Sequence, residues 1–193
     1  MNDPPLHDGP TGEAAELETR TPQQGLTDTV HSIARYMNRN EHEGGISTGD
    51  LAELRRINPD KPFTPALWKI LLDEISDLDR LSARRQRRWA ILLQAMATCV
   101  GLHESTIDFG TALAEASWSE LRFVRLMEAR GDNLDKQLRR LAQYLASKNQ
   151  NANWADAAWM LFVQEGEHAE NTRQRIAKSY YKRMYAKENE QAD

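Results

Sequence analysis

From Thr27 onward the apolar residues fall three and four positions apart in one segment after another, and no stretch offers a credible strand. That periodicity restricts the chain to helices packed on helices. The abundance of Ala, Leu, Arg, Glu and Gln over glycine favours the same outcome, because straight-chain residues lose little rotamer freedom in a helix. With 193 residues, 40% of them apolar, the chain is long enough to bury a core without disulfides or metal.

Capping and stop signals divide the pattern into about eight helices. The first runs from about Thr27 to Asn40, with Val30, Ile33, Ala34 and Met37 on one face and Gly44 and Gly45 just beyond. Ser47 to Asp50 offer caps for a short helix with Leu51, Ala52 and Leu54 inward, halted by Pro59 and Pro62. Thr64-Pro65 starts a third, with Leu67, Trp68, Leu71, Leu72 and Ile75 as its buried stripe. Ser82 caps a helix that is arginine-rich at first and then apolar nearly all round, from Trp89 to Val100, so it is expected at the centre. Thr111 to Ala116 reads as weakly helical. Ser117 and Glu120 form a capping box for a helix packing Leu121, Val124, Leu126 and Met127 and closed by Gly131. Asp132 or Asn133 caps the next, with Leu134, Leu138, Leu141, Tyr144 and Leu145 inward, and Asn153 caps the one holding Trp154, Ala157, Ala158, Leu161 and Phe162. A last helix from about Glu167 to Lys187 presents Ile176, Tyr180, Met184 and Tyr181.

The expected architecture is all-α, in two small bundles. Residues 1–27 form an acidic leader rich in proline and read as disordered; 28–102 and 117–187 form the bundles, 103–116 connect them, and 188–193 are a tail. No signal peptide and no apolar run long enough to span a bilayer is present, and Cys99 is the only cysteine, so a reducing, cytoplasmic setting is expected.

The sequence holds no recognisable catalytic or metal-binding pattern. No two of His7, His31, His42, His103 and His168 share the spacing of a helical zinc pair, and there is no phosphate-cradling glycine loop, nucleophile elbow or cysteine partnered by histidine. No enzyme, metal or cofactor is therefore expected.

What remains is arginine. The chain carries 25 Lys and Arg against 29 Asp and Glu, a formal charge of −4, but six of the acids and one base lie within residues 1–28. The rest is near neutral, so a basic face requires clustering. Three clusters stand out: Arg55 with Arg56; Arg84, Arg85, Arg87 and Arg88; and Arg122 with Arg139 and Arg140. A guanidinium fork can hold a phosphate through two parallel hydrogen bonds, and clusters on helix faces track a nucleic-acid backbone without reading bases. An ordinary solvated face accounts equally well for any one cluster alone.

Residue order adds what composition lacks. Gly49-Asp-Leu-Ala-Glu-Leu-Arg-Arg56, Pro65-Ala-Leu-Trp68, Phe109-Gly-Thr-Ala-Leu-Ala114, Ser119-Glu-Leu-Arg-Phe123, Leu138-Arg-Arg-Leu141 and Asn153-Trp154 follow one another as they do in the CasB family, and from about residue 28 to 185 the chain resembles it. The resemblance implies a helical, non-catalytic small subunit of a type I-E CRISPR Cascade complex, present as two copies beside the backbone subunits and the large subunit. It implies contacts to crRNA and to target and non-target DNA that stabilise the R-loop, chiefly on the displaced strand. By motif, Arg55, Arg56, Arg122, Arg139 and Arg140 match the family's basic positions, and Arg87 aligns with one ahead of the central helix. Since neighbouring helical residues point about 100° apart, one arginine of each adjacent pair can be structural, and Arg56, Arg122 and Arg140 are favoured.

Two features depart from the family. Gln164-Glu-Gly-Glu-His168 is acidic where some members are basic, leaving Arg173, Arg175 and Lys178 as the nearest bases, and residues 1–27 have no counterpart. Two other readings stay open: a protein-only adaptor using Trp118, Tyr181 or Tyr185, and a helix-turn-helix regulator with Arg84–Trp89 as recognition segment.

Overall fold

The computed structural model describes residues 22–75 and 81–192. Most of the acidic leader, residues 1–21, lies outside them. Nine α-helices and no strand are found among the described residues: α1 (Pro22–Asn38), α2 (Thr48–Arg55), α3 (Pro65–Glu74), α4 (Ala83–Thr98), α5 (Phe109–Glu115), α6 (Glu120–Glu128), α7 (Gly131–Ser147), α8 (Trp154–Phe162) and α9 (Glu167–Ala192). The all-α reading holds.

Local chemistry explains four of the nine starts. The side chains of Ser47, Ser82 and Asn153 accept hydrogen bonds from the backbone N–H groups of Asp50, Arg85 and Ala155, each satisfying a donor the helix cannot reach. Pro65 opens α3, where its missing N–H costs nothing.

α4 forms the centre. From Trp89 to Ala97 all but Gln94 are buried, and the helix packs on α2, α7 and α8. α9 runs along α5 and α8, and α1 covers α8 and α3. A single apolar core therefore joins elements on both sides of residues 103–116, from Val30 through Leu92 and Leu141 to Tyr180.

The structure departs from the expected elements at several places. α1 begins at Pro22, ahead of the Thr27 signal. Leu72 is 67% exposed, because the stripe of α3 is Ala66, Leu67, Ile70 and Leu71, and Leu72 lies one residue round the helix from it. On α6 the buried pair is Phe123 and Leu126, which turns Leu121 and Val124 to solvent. Ser117 is no cap: it takes φ +59 in the α5–α6 turn, Ser119 occupies the cap position, and its side chain makes no capping bond. Gly131 opens α7 instead of closing α6, whose last carbonyls accept from the Arg130 guanidinium through Met127 and Ala129. The Thr111–Ala116 segment is part of a fully formed α5, with Phe109, Gly110, Ala112, Leu113 and Ala114 buried.

Candidate nucleic-acid interface

The first turns of α7 place Lys136, Arg139 and Arg140 on the side facing the end of α2 and the polar edge of α4. Gln94 donates to the carbonyls of Arg55 and Ile57 at 3.1 Å each and fixes the C-terminus of α2 against α4. The Arg55 Nε in turn donates to the Ala97 carbonyl at 2.8 Å, and Arg55 lines a groove of about 430 Å³. Lys136, Arg139, Arg140, Gln94, Thr98 and Gln143 complete the lining with two alanines, and no carboxylate belongs to it.

Arg140 also lines a second depression of about 330 Å³, with Trp118, Arg122, Arg125, Gln137 and Tyr144. The Arg122 guanidinium stacks over the Trp118 ring at 5.3 Å, which holds a long side chain in place while its charge stays outward. The two depressions share Arg140, which links Arg55 and Arg139 in the first to Arg122 in the second as a candidate track. No ion pair involves any of these four, Lys136 or Arg125 among the described residues. Arg139 is half-buried, and its Nε has no hydrogen-bond partner.

The remaining two expected residues lie elsewhere. Arg56 is exposed but turns back to donate to the Ala52 carbonyl at 3.2 Å and does not line the groove, so of the adjacent pair it is Arg55 that joins the track. Arg87 is held by acids on the other side of α4 and does not line either depression. Its Nε meets Asp60 at 2.9 Å, one terminal nitrogen meets Asp132 at 3.2 Å, and the other is paired with the buried Asp135. Hydrogen bonds to Asp60 and Asp135 and an ion pair to Asp132 surround this guanidinium with acid, so a phosphate would have to compete with three carboxylates for it. These contacts draw the Asp60 carboxyl below its ordinary range, while burial pushes Asp135 up.

Lys136 and Arg125 escaped the sequence reading although a signal was present: each sits one turn from a chosen arginine, Lys136 before Arg140 and Arg125 after Arg122. Two of the three bases named on the last helix are engaged elsewhere, while Lys178 is exposed. Arg173 is buried and donates to the Met127 and Ala169 carbonyls, and Arg175 pairs with Asp156 at 2.7 Å.

The residues behind the other readings are placed differently from one another. Trp118 is buried and Tyr181 donates to Glu120, leaving Tyr185 exposed. The segment from Arg84 leads directly into the buried Trp89 and Ala90 of the central helix, so it cannot enter a DNA groove. No helix is long and apolar enough to cross a membrane, and no group of three potential metal ligands occurs, among the described residues.

Comparison with known proteins gives one family and several similar structures. The family model of CRISPR-associated protein Cse2 matches residues 50–181. A chain of E. coli Cascade bound to a PAM-containing dsDNA target is similar at 19% identity, with 81% of this chain and 96% of that one covered and a TM-score of 0.61. CasB from Thermobifida fusca is similar at 16% identity over 81% and 97% of the two chains, with a TM-score of 0.62. M. ruber CasB is similar at 19% identity over 88% and 97%, with a TM-score of 0.61. No curated protein matches the chain in sequence.

Proposed function

The chain belongs to the CRISPR-associated Cse2 (CasB) family, the small subunit of type I-E Cascade, and from that premise we propose that it grips sugar-phosphate backbone along the Arg55–Arg139–Arg140–Arg122 track and so stabilises the R-loop. The role is non-catalytic and is exerted in the cytoplasm, beside the backbone and large subunits and a second copy of the chain. The displaced non-target strand is its main ligand, with the crRNA and target-strand duplex nearby.

One observation carries this reading: helices from distant parts of the sequence converge on a groove lined by Arg55, Lys136, Arg139 and Arg140 with no acid among them. On a chain of formal charge −4, a carboxylate-free basic groove is a local concentration of charge that the average conceals. Exchange of a DNA duplex for an RNA–DNA duplex is nearly balanced in energy, so a few phosphate contacts tip it. Because such contacts release counterions, they stabilise without regard to base identity.

The test is target retention by the complex reconstituted with Arg55→Ala, Arg122→Ala and Arg140→Ala combined. Faster dissociation of target DNA is expected, with a dependence on log salt that is shallower by about 0.7 for each phosphate the variant no longer neutralises. Unchanged dissociation and slope would remove the track from the function.

A further inference from the structure

Asp135 and Arg139 lie one turn apart on α7, with the acid on the N-terminal side, the arrangement that favours an ion pair along a helix. They do not form one. Asp135 is instead taken by Arg87, which reaches across from α4 and also holds Asp132 and Asp60. Arg139 is left in the groove with its Nε unpartnered.

α7 thus reverses charge along its length. Its opening residues carry Asp132 and Asp135, and the turn after them carries Lys136, Arg139 and Arg140. Asp135 is buried, so its charge has little solvent to screen it and must find a cation close by. Arg88 of α4 is also near but donates to the Phe162 carbonyl at 3.0 Å, which leaves two cations placed to satisfy Asp135: Arg87 from outside the helix, or Arg139 from the next turn. The second removes a guanidinium from the groove.

We infer that Arg87 is a positioning residue for the nucleic-acid track: by occupying Asp135 it keeps Arg139 free for phosphate. This rests on reading the groove as a phosphate track. Arg87 acts through Arg139 without touching the ligand.

A double-mutant cycle in the reconstituted complex tests it, with target-DNA dissociation as the readout and helicity by circular dichroism as the check on folding. Arg87→Gln speeds dissociation several-fold. In an Arg139→Gln background the same substitution adds nothing further, because the residue through which it acts is gone. Arg87→Gln combined with Asp135→Asn retains target within about twofold of the parent, since a neutral amide neither captures Arg139 nor leaves a buried charge unpaired. Additive losses for Arg87→Gln and Arg139→Gln, or no recovery with Asp135→Asn in a folded protein, would overturn the inference and make Arg87 a direct contact or a purely structural tie. If Arg139→Gln alone leaves dissociation unchanged, the groove reading fails and this inference falls with it, an outcome distinct from additivity.

Discussion

Gly110 of α5 lies directly against the backbone of α9: a Cβ placed on it would stand 2.0 Å from the Ile176 carbonyl oxygen and 2.7 Å from the Tyr180 amide nitrogen. That approach sets the distance between the two helices and lets the Tyr180 hydroxyl reach the Trp118 carbonyl at 2.6 Å, with its ring stacked on Phe123 at 3.9 Å. The close crossing buttresses the turn and helix that present Arg122.

Gly110→Ala is accordingly expected to destabilise the fold by about 2 kcal/mol or more, since besides the Ser179 hydroxyl it meets the Ile176 and Tyr180 backbone, which cannot turn aside. Gly49→Ala is the control. It lies in α2 with only the Ser47 hydroxyl within 4 Å, so replacing glycine there gains a few tenths to about 1 kcal/mol. Urea midpoints of the two variants should move in opposite directions.

Arg55 and Arg56 separate a groove residue from its neighbour. Arg55→Ala should weaken single-stranded DNA binding by the full chain and make its salt dependence shallower by about 0.7 in log–log slope. Arg56→Ala, which removes a side chain turned onto its own helix, should leave that slope unchanged. Equal effects, measured by fluorescence anisotropy over a salt series, would mean the groove boundary is misdrawn.

Acid should weaken the fold through His103. Burial, with a smaller contribution from His31, pushes its pKa down from 6.5 to about 4, and its Nδ1 accepts from the Trp154 amide at 3.3 Å, which fits a neutral ring. Between those two values the unfolded chain binds the proton and the folded chain does not. Stability is therefore lost as pH falls through that window, by at most about 3 kcal/mol. His103→Gln should flatten the difference between urea midpoints at the two ends of the window; an unaltered difference would assign the acid sensitivity to other groups.

Helix caps give a fourth contrast. Asn153 accepts from the Ala155 amide at 3.0 Å and donates to the Ser105 carbonyl at 3.2 Å, so Asn153→Ala should cost about 1 kcal/mol. Ser119 occupies the equivalent position of α6 without a side-chain bond, and Ser119→Ala should stay within about 0.5 kcal/mol of the parent. Thermal unfolding of the pair distinguishes a working cap from a cap-like sequence.

Several of these features were legible in advance and several were not, for identifiable reasons. The caps at Ser47, Ser82 and Asn153 act within three residues, so sequence carries all their information. Leu72, Leu121 and Val124 misled because an apolar residue signals a buried face only when the element covering that face is known. Gly131 misled because Arg130 does the closing of α6 through its side chain.

The order of Leu-Arg-Arg and Glu-x-Arg elements, with helical periodicity between them, was enough to identify an all-α chain of this family and to nominate its arginines. Which of them share a surface was decided by packing alone. Arg55 meets Arg139 and Arg140 through the docking of α2 and α7 on α4, and Arg87 is withdrawn by Asp60, Asp132 and Asp135, the last of them 48 positions away. Periodicity is a property of neighbours within a few residues, whereas the state of a charge depends on whichever carboxylate the fold brings to it through space.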